Sequence, residues 1–137
     1  KLYSLEFYAR LMERIRSTSV VVTQAGSPVF AREAYWSVAA TLDQTRNPAQ
    51  PGQSLEILPY HVYVPSFGDW GFVMASAGQA LTPTKSLPPG LKFLTPELWP
   101  GMRTFAPDSE KVDVEINSIR DHRLVRYYEQ GWAKWYD

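Results

Sequence analysis

Residues 19–28 read Ser-Val-Val-Val-Thr-Gln-Ala-Gly-Ser-Pro: consecutive β-branched residues, a glutamine closing the run, two small residues, then a Ser-Pro pair. A run that is apolar at successive positions has no solvent face. It predicts a strand over 19–24 that is buried on both sides and parallel to its neighbours. Ser27 and Pro28 predict a helix start, because a serine oxygen can cap free amides and proline at the first helical position gives up no hydrogen bond. From there to about residue 44 the apolar stripe is Ala31, Ala34/Tyr35, Val38 and Leu42. A buried strand feeding an amphipathic helix is the unit of an α/β fold.

Upstream, Leu2, Leu5, Tyr8, Leu11/Met12 and Ile15 recur at helical steps with charged residues between them, so 4–16 predicts a helix capped by Ser4. Downstream, residues 45–54 hold two prolines, a glycine and no large apolar anchor, and read as loop. From 55 to 64, Leu58, Tyr60, Val62 and Val64 alternate with Ile57, His61 and Tyr63, the pattern of a strand, with Pro59 near its start. Pro65 to Asp69 punctuates it before a second extended run over 70–76, and so short a link predicts an antiparallel hairpin. Residues 77–90 read as loop, 97–102 as a short helix opened by Thr95-Pro96-Glu97, and 121–130 as a final helix. The result is one domain over 1–137 with a small mixed sheet, one parallel-type strand plus the hairpin, covered by helices. A strand buried on both faces wants two neighbours, so the sheet is expected to continue in residues outside this chain or in another copy.

The chain has 137 residues, 14 Lys+Arg balanced by 14 Asp+Glu, and 45% hydrophobic residues, the profile of a single soluble globular unit. Zero net charge offers no field for nucleic acid or an anionic membrane surface. The lack of cysteine excludes disulfides, thiolate metal sites and a thiol nucleophile. No apolar run approaches the roughly 20 residues of a membrane-spanning helix. The chain opens at Lys1 straight into a helical pattern, which reads as a piece of something longer.

Phosphate-cradling glycine loops, nucleophile elbows and zincin helices have no matching motif. His61, on a strand face beside Tyr63, reads as a packed histidine, and His122, among Arg120, Asp121 and Arg123, as a solvated helix start. Asp108, Glu110, Asp113 and Glu115 read as surface, because a calcium loop would need a glycine and a closing bidentate glutamate. Two features can bear chemistry. Gln24 ends the first strand, and ligands of open α/β sheets bind beyond the carboxyl ends of strands. Tyr60, Tyr63, Phe67, Trp70 and Phe72 surround the hairpin turn and can either wall a pocket for an apolar or cationic ligand or simply be core.

Several segments in order resemble one family, the polyamine aminopropyltransferases or spermidine synthases, in the C-terminal half of their Rossmann-like methyltransferase domain. Residues 1–8 (KLYSLEFY) are similar to the family's helix start, and 21–28 (VVTQAGSP) to its strand ending in glutamine before Ser-Pro. Residues 64–72 (VPSFGDWGF) resemble its hairpin, and 91–98 with 105–107 its later segments. The tail 125–132 (VRYYEQGW) is similar to a bacterial branch fused behind a membrane-embedded region. The resemblance implies transfer of an aminopropyl group from decarboxylated S-adenosylmethionine to putrescine or a similar amine. Substrate-binding roles fall on Gln24, Phe67 and Trp70. No catalytic, cofactor-binding or metal-ligating residue falls in this chain, since the family's nucleoside loop and catalytic aspartate precede the first helix. The chain alone is therefore expected to be inactive, and its parent to be a homo-oligomer at the cytoplasmic face of the inner membrane. Two departures touch amine recognition: Phe67 stands where the family commonly has tyrosine, and Gly26 where an acidic residue is common. A non-catalytic scaffold derived from the same fold is the alternative expectation.

Overall fold

The computed structural model describes residues 1–83 and 86–136; part of the 77–90 loop therefore lies outside the described residues. The elements are α1 (Leu5–Arg14), β1 (Val21–Gly26), α2 (Arg32–Asp43), β2 (Glu56–Val64), β3 (Gly68–Ser76), α3 (Leu98–Met102) and α4 (Arg123–Ala133). The fold is α/β, with a small open sheet in the order β1-β3-β2 and both pairings antiparallel. β1 and β2 thus run in the same direction, separated by the returning strand of the hairpin.

Two expectations for β1 need correction. The strand begins and ends later than 19–24, and its one partner among the described residues, β3, is antiparallel to it rather than parallel. Its outer face is open: Val22 is 51% exposed, so the apolar triplet is a strand covered on one side with a free edge. The hairpin follows its sequence pattern. Glu56 pairs with Ser76 and the register runs without a slip to Val64 and Gly68, which puts Ile57, Pro59, His61 and Tyr63 on one face.

That face is covered by α2. Tyr35, Val38 and Leu42 are buried against Val73 and Ala75, and the Tyr35 hydroxyl lies 3.3 Å and 3.2 Å from the carbonyls of Tyr60 and Phe72, onto which it donates. Tyr35 can lie flat on the sheet because residue 71 is glycine: a Cβ there would fall 2.2 Å from the tyrosine ring. α1 adds Tyr8 and Met12 to the same core, and Tyr8 shares a 3.3 Å hydrogen bond with Thr23.

The α2 start is displaced from the Ser-Pro signal. Ser27 Oγ accepts from the amides of Val29 and Phe30, which closes one turn, but Ala31 leaves helical geometry and α2 proper begins at Arg32. α2 is also buried on the side read as polar. Residues 105–117 cross it as a strap, held by Arg32 Nε on the Glu110 carbonyl, Trp36 Nε1 on that of Ser109 and Ser37 Oγ on that of Glu115. Asn117 ends the strap as a hub. Its amide donates to Thr41 Oγ1 and its Nδ2 to the Tyr3 carbonyl, while its Oδ1 accepts from Leu124 and its carbonyl from Leu5.

Candidate functional site

Directly opposed residues of an antiparallel pair point to the same face. Gln24 opposes Phe72, Phe72 opposes Tyr60, and Trp70 opposes Val62. Gln24, Phe72, Tyr60 and Trp70 therefore share the outer face, opposite the one that α2 covers. Tyr60 and Phe72 stack with ring centroids 5.4 Å apart, and Trp99 of α3 lies 5.9 Å from Tyr60. Phe67 sits in the turn between β2 and β3, is 60% exposed, and its ring is 5.3 Å from that of Trp70.

The three residues singled out in the sequence thus lie at one end of the sheet: Gln24 exposed near the carboxyl end of β1, Trp70 half-buried near the start of β3, Phe67 at the hairpin tip. The aromatic group divides. Tyr60, Trp70 and Phe72 form a wall on the outer face, whereas Tyr63 points to the other side and is 66% exposed. The site is an open face rather than a hollow. A cavity of about 390 Å³ lies between Trp36, Ile57 and Val112, and another of about 230 Å³ follows the β1 edge past Leu2, Phe7 and Val22.

β1 bulges between Gln24 and Gly26, and Gly26 has φ +79°, a conformation that disfavours side chains. The space a Cβ would take holds the Tyr128 hydroxyl. Burial pushes that phenol up to about 12, so near neutral pH it is an uncharged O–H where the resemblance would have set a carboxylate.

His61 is packed, as read, between groups that the sequence did not indicate: Asp69 Oδ1 at 2.7 Å from Nδ1, the Thr104 carbonyl at 2.8 Å from Nε2, and the Phe105 ring at 4.7 Å. His122 is exposed at the start of α4 with φ +48°. Asp108, Glu110, Asp113 and Glu115 are exposed, and Glu115 pairs with Arg123 at 2.6 Å. Among the described residues no three His or acidic side chains gather as a metal-binding group, and no helix is long and apolar enough to cross a membrane. Asn117, Asp69 and Tyr128 were missed by sequence reasoning. Asn117 and Tyr128 act through partners distant in the chain, while Asp69 meets His61 across the hairpin, where only the strand register brings the two together.

No family model matches the chain. Comparison with curated proteins finds strong similarity along nearly all of it. A polyamine aminopropyltransferase of Leptospira interrogans is 40% identical over 134 residues, 98% of this chain and 25% of that protein. Polyamine aminopropyltransferase 2 of Ralstonia nicotianae is 40% identical over 133 residues, 96% of the chain and 24% of the relative. The protein of that name in Oceanobacillus iheyensis is 34% identical over 139 residues, 98% and 26%. The chain spans about a quarter of the length of these relatives. Matched from end to end, the chain is similar along its whole length to one part of proteins named polyamine aminopropyltransferase.

Proposed function

We propose that this chain forms the amine-facing wall of an aminopropyltransferase whose nucleoside-binding and proton-accepting groups lie in other parts of a longer protein. The observation that carries the reading is the convergence of Gln24, Trp70 and Phe67 on one end of the sheet. In the reaction the amine nitrogen, deprotonated, attacks the sulfonium-bound carbon of decarboxylated S-adenosylmethionine, and methylthioadenosine leaves. The demands on a wall are position and cation tolerance. Aromatic faces attract the distal ammonium of putrescine or a similar diamine, and the Gln24 amide can accept from an N–H. With Phe67 lacking a hydroxyl and Gly26 lacking a carboxylate, this wall holds the amine through ring faces and amide rather than through charge.

The chain by itself performs no transfer on this reading, because none of its described residues supplies the nucleoside loop or the aspartate the family uses. The likeness of residues 125–132 to the membrane-fused branch, and relatives about four times as long, support a parent attached at the cytoplasmic face of a membrane.

Steady-state kinetics of the longer protein test the site. Gln24→Ala and Trp70→Ala are each expected to raise KM for the amine about tenfold, the scale of one lost hydrogen bond or cation–π contact, with KM for the nucleoside unchanged. Unchanged amine kinetics in folded variants would reject the wall and favour a non-catalytic scaffold.

A further inference from the structure

On the inner face of β2, His61 stands opposite Gly71, with the Tyr35 ring occupying the room that Gly71 leaves. Its Nδ1 is 2.7 Å from Asp69 Oδ1 and its Nε2 is 2.8 Å from the Thr104 carbonyl oxygen. A carboxylate and a carbonyl can only accept. A neutral imidazole has one N–H, so it satisfies one of these oxygens and turns a lone pair toward the other. The imidazolium donates to both, and its bond to Asp69 is charge-assisted at both ends.

We propose that His61 is a proton-operated clasp between the hairpin and the segment that follows α3. With two ring protons it ties Thr104 to Asp69 across the end of the sheet; losing one releases residues 103 and 104. The clasp joins the two parts that carry the outer aromatic wall. Asp69 directly precedes Trp70, and Thr104 ends the segment bearing Trp99, whose ring lies against Tyr60.

Each element packed around the ring presents its groups. Asp69 comes from β3, and Tyr63 lies opposite Asp69 on β2. Tyr35 comes from α2; burial, and then the nearby Asp69 charge, push its phenol well up, so it stays neutral. Arg103 precedes Thr104, with its guanidinium 5.6 Å from the Trp99 ring centre. Phe105 closes the other side of the imidazole at 4.7 Å and is itself held between Tyr35 and Trp36. Among the described residues, the two oxygens held by the ring nitrogens are thus the Asp69 carboxylate and the Thr104 carbonyl.

The inference does not depend on the aminopropyl reading and is tested on this chain. The amides of Arg103 and Thr104 donate to the carbonyls of Pro100 and Gly101, so their hydrogen exchange reports release of the segment. Followed as pH is raised and corrected for the intrinsic pH dependence of exchange, their protection is expected to fall about tenfold as His61 loses its second proton. In His61→Gln the profile should be flat. Imidazole nitrogen spectra, assigned with His122→Asn, should show both His61 nitrogens protonated in the protected state. Protection that ignores the titration, an equal fall in His61→Gln, or one bare nitrogen in the protected state would overturn the clasp. Should His61→Gln fail to fold, Asp69→Asn keeps the shape without the charge; it must shrink the pH-dependent fall severalfold, and an unchanged fall would reject the proposal.

Discussion

At the scale of single residues the fold rests on where a side chain is missing. Gly71 is the position where the sheet admits a ring: a Cβ would sit 2.2 Å and 2.4 Å from Tyr35 ring atoms and 2.9 Å from the Gly26 carbonyl oxygen. Tyr35 is fully buried and the carbonyl is backbone, so neither can step aside. Gly71→Ala is expected to destabilise the domain by about 1–3 kcal/mol, the range for overpacking a core, as measured by urea unfolding. Gly101→Ala is the matched control. Nothing lies within 4 Å of its would-be Cβ and it sits inside α3, so it should be neutral or stabilising by about 0.5–1 kcal/mol. Equal stability for the two variants would refute the packing account. The Tyr35–Gly71 pairing is illegible in a single sequence, because nothing local to residue 71 distinguishes a glycine that yields space from one that turns the chain.

Each of three helices is tied to the sheet through a tyrosine, buried in α1 and α2 and half-buried in α4. α1 offers Tyr8 to Thr23, α2 offers Tyr35 to the Tyr60 and Phe72 carbonyls, and α4 offers Tyr128 to the bulge at Gly26. Burial raises all three phenols above their ordinary value of 10, Tyr128 to about 12 and the other two further. A group whose folded pKa is raised contributes stability that is fully present below the unfolded value and is lost as pH climbs through the folded one. Stability should therefore hold to about pH 10 and fall from there through 12, with phenolate formation at these residues coinciding with loss of helical circular dichroism. Tyr128→Phe should shift that fall upward. All the tyrosines ionising together near pH 10 with the helical signal intact would contradict it. The helices themselves were largely legible, since their apolar stripes are local. What was not legible is how completely α2 is covered. Ser37, Thr41 and Thr45 recur every four residues, and a hydroxyl back-bonds from Thr41 to Ser37 and from Thr45 to Thr41. That polar row looks like a solvent face in sequence, yet it is buried: the two threonine hydroxyls donate to helix carbonyls, Ser37 donates to the Glu115 carbonyl of the strap, and Thr41 also accepts from the Asn117 amide.

For the whole molecule the open question is the outer edge of β1. Among the described residues β1 pairs on one side only, with β3, Val20 and Val22 stand exposed, and Val22 lines an apolar hollow with Leu2, Phe7 and Leu11. The valine run leads to the expectation of a second neighbour, but not to a bare outer face or an antiparallel neighbour. Consecutive valines mark burial in a completed sheet and carry no sign of strand direction. An edge with free N–H and C=O groups flanked by apolar side chains recruits another strand. The isolated chain is therefore expected to associate with itself at micromolar concentration through this edge. Val22→Lys is the variant that tests it. Its side chain already faces solvent, so the fold should survive, while a charge beside the ladder disfavours edge-to-edge pairing. Sedimentation should show concentration-dependent association of the parent chain and a shift toward monomer in Val22→Lys, with circular dichroism unchanged. A folded monomer at every concentration would overturn edge pairing and mean that α1, already lying along the hollow, protects the edge by itself.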